Sequence, residues 1–471
     1  MALPRNQIFM KATAPYRIAI VGAGPAGFYA AGHLLANPSV PVAVDLFDRL
    51  PTPFGLVRSG VAPDHHKIKS VTRIYEKTAR REGFRLVGHV DVGSDVGIAE
   101  LAAHYHAVMI TTGAQTDRRL GIPGEDLPGV HPATDFVAWY NGHPNYTEYA
   151  FDLAAERAVV IGMGNVAVDV ARIMLRSCDE LGTTDIADHA LDALKHSRIK
   201  HVTLVGRRGP VQAAFTNPEL KELLHLQDVH IDIDAAQLVL DAFSAAARSA
   251  ADDRELEARL AMLQEAAARE QAPGVDRVLR LQFFRSPTAL LAGADGGVRA
   301  MKTDVTRLES ASDGRLRAVA TGETETLEAG IVLKSVGYKG IAVEGLPFDD
   351  RGGVIPNAGG RIHSEEGEVL PGWYTAGWIK RGPTGVIGTN KADAQESAQH
   401  LLDDLSDGIH LAPSHHADAL LGRLVQRTDL AGWHRIDAQE TSQGEASGRP
   451  RVKVTHMDDL LSLARGHRPA A

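Results

Sequence analysis

Two short segments of this chain place glycines where a backbone could close around a phosphate. Gly22-Ala23-Gly24-Pro25-Ala26-Gly27 ends the apolar run RIAIVG at 17–22 and opens the helical stretch FYAAGHLLA, with a second apolar run, VAVDLF, at 42–47. In a strand–turn–helix of this kind the first glycine makes the tight turn, the second admits a pyrophosphate to the backbone, and the third lets helix and strand pack closely. The helix N-terminal amides then face the anion. Asp48, 21 residues after Gly27, supplies a carboxylate for ribose hydroxyls. A bare glycine-rich turn explains the glycines alone, but not the strand, helix, strand and acid in that order.

Gly162-Met163-Gly164-Asn165-Val166-Ala167 repeats the pattern after RAVVIG at 157–162, with Ala167 in the third glycine's place. The next apolar run, HVTLVG at 201–206, leads into Arg207 and Arg208, where a site for NAD would carry an acid. Two guanidiniums suit a doubly charged 2′-phosphate, which they can grip in bidentate fashion. An arginine pair on a surface is ordinarily just solvated; behind a second glycine motif it reads as NADP(H) binding. The first motif, at the start of the chain, is then the expected FAD site.

The elements that must hold these motifs read as α/β, with two Rossmann-type units. A length of 471 residues exceeds one ordinary core, so two domains are the simplest expectation. An Asp- and His-rich insertion between Arg176 and Lys200 lengthens the second unit. Residues 244–271 carry Leu256, Leu260, Leu263 and Ala267 on one stripe, which predicts a single long amphipathic helix. Strands are expected across 276–336 and at 373–376, then a helix over 389–405. The net charge of −9 gives no footprint for nucleic acid, and Cys178, the one cysteine, removes disulfides, Cys-x-x-Cys chemistry and cysteine-held iron–sulfur clusters. No apolar window is long enough for a membrane span, and the expectation is a cytoplasmic monomer with no metal site.

Outside the glycine motifs, His65 closes the run VAPDH and is the best histidine for donating to a flavin or nicotinamide oxygen near neutral pH. The alternative is a structural loop histidine. Asn217 and Pro218 read as N-cap and first residue of a helix, putting Glu219 and Glu222 near its positive end, either as helix-dipole partners or as nicotinamide or ribose contacts. Lys69, Arg73, Lys77 and Arg80 recur at about one helical turn and read as a basic docking face or a solvated helix surface.

The segments PTPFGLVRSGVAPDH (51–65), GMGNVAVDVAR (162–172), RRGPVQAAF (207–215) and GWIKRGPTGVIGTNK (377–391) resemble the adrenodoxin reductase-like family of ferredoxin–NADP(+) reductases along nearly the whole chain. The resemblance implies a discontinuous FAD domain at 1–114 and 341–471 enclosing an NADP domain at 115–340. It implies FAD contacts at Ala26, Asp48, Leu56, Val92, Trp378 and Gly385-Val386-Ile387, and NADP contacts at Asn165, Val166, Ala167, Arg207, Arg208, Glu219 and Gly385. Asp48 stands where relatives often carry the longer glutamate. A pairing of His65 with Asp169 across the domain seam is also implied, so that His65, Asp169 and Glu222 are the candidate catalytic residues. The activity implied is hydride transfer from NADPH to FAD, then single-electron transfer to an acidic ferredoxin-type partner. Two alternatives share the layout: a flavoprotein like the glutamate synthase small subunit, which needs cysteine-bound clusters, and a non-catalytic FAD/NADPH sensor.

Overall fold

The computed structural model describes residues 14–251, 253–311, 315–385 and 387–467. Its first sheet has seven strands in the order 357–358, 361–363, 369–375, 107–110, 16–21, 42–47, 84–87, the last five mutually parallel. Period-2 alternation splits its apolar runs between two layers. Ile18, Ile20, Val44, Leu46 and Met109 enter the layer that Pro25–Leu34 and Thr389–Ser406 help to build, and Ala19, Val21, Phe47, Val108 and Ile110 enter the layer on the opposite face. Both faces are therefore covered, which is why these strands read as unbroken apolar runs.

The second sheet has six parallel strands in the order 130–132, 331–334, 157–161, 201–205, 277–282, 229–233. A three-stranded antiparallel sheet, Arg285–Ala292, Val298–Ser310 and Leu316–Glu328, is appended to it. The chain passes between the two large sheets twice, and the passages lie side by side as a short antiparallel ladder of Thr116–Asp117 with Tyr338–Lys339. One sheet thus takes strands from both ends of the chain while the other sits in the middle, two Rossmann-type units with the second inserted into the first.

Three local expectations need correction. Residues 244–271 form two helices, Ala242–Ala251 and Arg254–Ala267, because the Asp253 carboxylate accepts from the amides of Glu255 and Leu256 and starts a new helix there. The helix carrying Glu219 runs Asn217–Leu223 with Thr216 as its N-cap, so Asn217 is its first residue; its side chain donates instead to the Glu255 carbonyl. Lys69 does not share a solvated face with Arg73, Lys77 and Arg80: its ammonium turns inward to Asp185 at 2.6 Å, while the other three are exposed. The Asp- and His-rich insertion folds into two short helices, Cys178–Leu181 and Asp188–Lys195.

The C-terminal segment straps the two units together. Arg449 donates to the carbonyls of Thr184 and Ile186 and pairs with Asp188, and the Thr455 carbonyl accepts from Thr147. Lys453, almost fully buried, reaches Asp185 at 3.3 Å and Asn141 at 3.1 Å. Asp185 thus lies between two lysines. Burial works to raise its carboxyl, but the Lys453 and Lys69 ammoniums hold it well below the usual range. No helix among the described residues is long and apolar enough to cross a membrane.

Candidate active site and nucleotide cradles

Both glycine motifs are built alike. Gly22 has φ +110°, and a Cβ there would sit 2.6 Å from the Thr111 carbonyl oxygen; Gly162 has φ +141°, and its Cβ would sit 2.2 Å from the Ser335 carbonyl oxygen. In each unit the turn leans on the exit of a neighbouring parallel strand, a position only glycine can hold. A Cβ on Gly24 or Gly164 would meet nothing within 4 Å, so the second glycine of each motif borders open space at a helix N-terminus. That is the cradle an anion requires. The Gly27 backbone presses so close to Gly22 that a Cβ would lie 2.2 Å from its carbonyl oxygen, while Ala167 is accommodated fully buried.

Asp48 caps the first cradle. Its two oxygens accept from the amides of Ala23 and Leu50, each at 2.9 Å, and burial raises its carboxyl despite those amides. Both oxygens keep a second lone pair for ribose hydroxyls. Leu56 is 42% exposed, and Val92 packs partly buried against the layer around Ile98 and Leu101. From the far end of the chain, Gly377 packs against Ala26, and Trp378, which follows it, has an indole Nε1 that is buried with no hydrogen-bond partner among the described residues. A buried N–H without an acceptor is costly, and a bound acceptor would relieve it. Gly385 is exposed with φ +77°, Ile387 packs partly buried on the first core, and Val386 lies outside the described residues. These positions fit a flavin dinucleotide.

Arg207 and Arg208 leave the strand His201–Val205 side by side and exposed, and neither has a carboxylate partner among the described residues. Partial burial and the neighbouring Arg207 both lower the Arg208 guanidinium. Two unneutralised guanidiniums pinned by backbone bonds (Thr306 Oγ1 to the Arg207 carbonyl, the Phe284 amide to the Arg208 carbonyl) form a ready anion site. Asn165 Oδ1 accepts from the Thr216 amide at 2.8 Å, which ties the second cradle to the helix bearing Glu219 and Glu222. Val166 packs partly buried beside them.

His65, Glu219 and Glu222 meet at the seam between the units. His65 Nε2 lies 2.9 Å from Glu222 Oε2 and 3.4 Å from Glu219 Oε2. The expected direct bond from His65 to Asp169 is not made: Arg172 stands between them, 2.8 Å from His65 Nε2 and 2.7 Å from Asp169 Oδ1. The guanidinium is fully buried, and its Nε and Nη2 also reach both oxygens of Asp64 at 2.8 and 3.0 Å. Burial pushes the Asp169 carboxyl up to about 7, the Arg172 charge offsetting only part of it, whereas Arg172 overcomes the burial of Asp64 and holds it at about 2. Arg172 and Asp64 are the site residues that sequence reasoning missed. The available signal was a helix, VAVDVARIML, apolar except for an acid and a base three residues apart.

The pyridine nucleotide-disulphide oxidoreductase model matches residues 16–236. The NADPH-ferredoxin reductase FprA of Mycobacterium tuberculosis is 47% identical over 469 residues, covering 96% of this chain and 100% of the relative. The chain belongs to this ferredoxin reductase family. The mitochondrial NADPH:adrenodoxin oxidoreductases of Arabidopsis thaliana and Bos taurus are 43% and 44% identical, covering 96% of this chain and 95% and 92% of the relatives. The solved structure of the M. tuberculosis FprA complex with NADPH superimposes with a TM-score of 0.89 at 46% identity, over 96% of this chain and 100% of that one. Family membership therefore rests on the whole chain, beyond the glycine motifs that many dinucleotide folds share.

Proposed function

We propose that this chain is an FAD-containing NADPH:ferredoxin oxidoreductase. The observation that carries the reading is the pair of open cradles with different second-strand ends: Asp48, a ribose acceptor, on one, and Arg207 and Arg208, a phosphate grip with no carboxylate partner among the described residues, on the other. Bound flavin supplies the exchange between a two-electron hydride donor and a one-electron acceptor.

The protein's own residues bind, orient and handle protons. Helix amides behind Gly24 and Gly164 hold the two pyrophosphates. Asp48 fixes the first ribose; Arg207 and Arg208 admit the 2′-phosphate and thereby select NADPH over NADH. Trp378 Nε1, next to Gly377 that packs on Ala26, would offer a hydrogen bond to the flavin. Ala26, Leu56, Val92, Gly385 and Ile387 would line the flavin site, and Asn165, Val166, Ala167 and Glu219 that of the nicotinamide nucleotide. His65, Glu222 and Asp169 hold and move the proton that accompanies reduction, with Glu222, half exposed, as the group nearest solvent. The FAD domain comprises 1–114 and 341–471 and the NADP domain 115–340, which puts the ladder at 116–117 and 338–339 just inside the inserted unit.

The acceptor is a ferredoxin-type iron–sulfur protein, acidic in this reading because Arg73, Lys77 and Arg80 form an exposed basic strip beside exposed Ile68 and Ile74. The monomeric state and a cytoplasmic setting belong to the same reading; a single cysteine, free of any disulfide, suits such a setting. Steady-state reduction of a ferredoxin-linked cytochrome with NADPH and with NADH tests it. We expect turnover with NADPH, accelerated at low salt, and at least about tenfold weaker use of NADH. Equal use of both nucleotides sinks the phosphate grip. Bleaching of the flavin without turnover favours the sensor alternative.

A further inference from the structure

Histidines crowd one end of the first sheet, away from the seam. His104 ends the helix Ile98–His104, and His415 lies on the segment that leads from the helix Thr389–Ser406 to the helix Ala417–Arg423. Two backbone bonds zip these distant stretches together: the Leu411 amide donates to the His106 carbonyl at 2.8 Å, and the His415 amide to the Ala103 carbonyl at 3.0 Å. An ion pair of Arg423 with Glu100 joins the two helices themselves. The His104 and His415 rings consequently stand with their centres 5.3 Å apart and their planes inclined by 38°.

The hydrogen bonds decide which ring nitrogens are bare. His104 Nδ1 lies 2.9 Å from the Glu100 carbonyl oxygen. A carbonyl only accepts, so Nδ1 carries the hydrogen and the neutral ring keeps a lone pair on Nε2. A backbone carbonyl on the far nitrogen is also what orients the ring of a metal-ligating histidine. The His415 ring makes no hydrogen bond among the described residues, so either of its nitrogens is available. The neighbouring pair, His106 and His410, has its centres 5.6 Å apart but differs in kind. His106 Nδ1 accepts from the Arg17 amide at 3.0 Å, so its neutral ring carries the hydrogen on Nε2 and has no bare nitrogen left.

We propose that His104 and His415 form a clip for one divalent transition-metal ion of the zinc and copper class, with water completing its coordination. Metal–imidazole bonds of about 2.0–2.1 Å at a tetrahedral angle put two ring centres about 5 Å apart, which the observed spacing matches with the backbone as it stands. Imidazole ligands select zinc, copper or nickel over magnesium and calcium, which take oxygen. The strands at 16–21 and 107–110 run parallel, with Ile18 beside Ala107 and Val21 beside Ile110. His104 therefore lies at the end of the sheet opposite Gly22, roughly one strand length, about 13 Å, from the first cradle. An ion there touches neither nucleotide and ties the segment 407–416 to the helix Ile98–His104, as a structural staple. The other cluster with suitable atoms, His65, Asp169 and Glu219, has them within 4.8 Å of one another, but Arg172 reaches two of the three. A guanidinium in bonding contact with those ligands repels a second cation.

The test uses untagged, chelator-treated holoenzyme, titrated at about pH 7.5 with zinc chloride by calorimetry and with copper sulfate by electron paramagnetic resonance. Wild type is expected to bind one equivalent of zinc, to melt at least about 2 °C higher when saturated, and to show two nitrogen ligands on copper. His104→Ala and His415→Ala should each weaken zinc binding at least about tenfold, abolish the rise in melting temperature and leave one nitrogen on copper. Acidification to about pH 5.5 should release the ion, because imidazole ligates only when neutral. His415 is exposed, so its variant decides even if His104→Ala folds poorly. His410→Ala and His65→Gln should bind zinc as wild type does. Absence of binding by wild type, undiminished binding by His415→Ala, or loss in His410→Ala or His65→Gln overturns the proposal.

Discussion

Arg207 and Arg208 have no counter-charge among the described residues, and that makes their role measurable one residue at a time. A charge-assisted bond to phosphate is worth roughly 1.5–3 kcal/mol, or about tenfold to a hundredfold in binding. Arg207→Ala and Arg208→Ala should each raise KM for NADPH by that factor and leave KM for NADH nearly unchanged, because NADH has no group to lose. Steady-state kinetics with both nucleotides checks this; equal losses for both would place the arginines in general folding instead. The same residues show what local reading can see. An arginine pair behind a glycine motif is a sequence-adjacent pattern, legible because strand, turn and helix follow one another in the chain. Arg172 was not legible, since its meaning depends on Asp64 and His65, more than 100 residues away in sequence and brought close only by the docking of two units.

At the scale of elements, the connections carry as much of the electrostatics as the strands. The loop before the strand Val130–Pro132 folds onto Glu125, whose oxygens accept from the Leu120 and Gly121 amides and from Lys334 at the end of the strand Ile331–Lys334. Burial works to raise this carboxyl, but Lys334 and the two amides hold it at about 2, below its ordinary 4.5. Asp64, held at about 2 against 3.8, behaves in the same way. A depressed acid stabilises the fold fully above its unfolded pKa, and that stability is lost as pH falls through the native one. Thermal melts should therefore lose stability from about pH 4.5 down toward pH 2, and Glu125→Gln should flatten part of that fall; an unchanged acid limb would exclude Glu125 as a contributor. The strands at 16–21, 42–47, 157–161 and 201–205 were readable as largely apolar runs because their sheets are covered on both faces, whereas Phe84–Val87 and Val229–Ile233, which mix polar and apolar residues, were not. The break between Ala251 and Arg254 was hidden because the Ala-rich run before it and the stripe Leu256, Leu260, Leu263 and Ala267 after it are both helix-forming, with a single aspartate deciding where the second helix begins.

At the scale of the molecule, the C-terminal strap decides how firmly the two units are held. Asp185 sits between Lys69 and Lys453, and removing it leaves two buried ammoniums facing one another. Breaking a buried pair in this way costs on the order of 3–5 kcal/mol. Asp185→Ala should lower the melting temperature by several degrees. Because Lys69 and Lys453 flank the seam, flavin reduction should slow more than flavin binding weakens. A melt indistinguishable from wild type would show that the strap bears no weight. None of this network was foreseen: the residues after 406 have no periodic pattern of their own and acquire meaning only from what they cross.

The two glycine turns, alike in leaning on a neighbouring carbonyl, give this chain a pair of phenotypes that can be told apart by eye. Gly22→Ala forces a methyl group onto the Thr111 carbonyl at a backbone angle alanine resists, and should yield a colourless protein. Gly162→Ala does the same against Ser335 and should yield a yellow protein that NADPH no longer bleaches. A dye that takes electrons from reduced flavin, fed by a chemical reductant, should rescue the second and never the first. Colour and response are thus separately heritable traits of one fold, and an absorbance spectrum before and after nucleotide reads both.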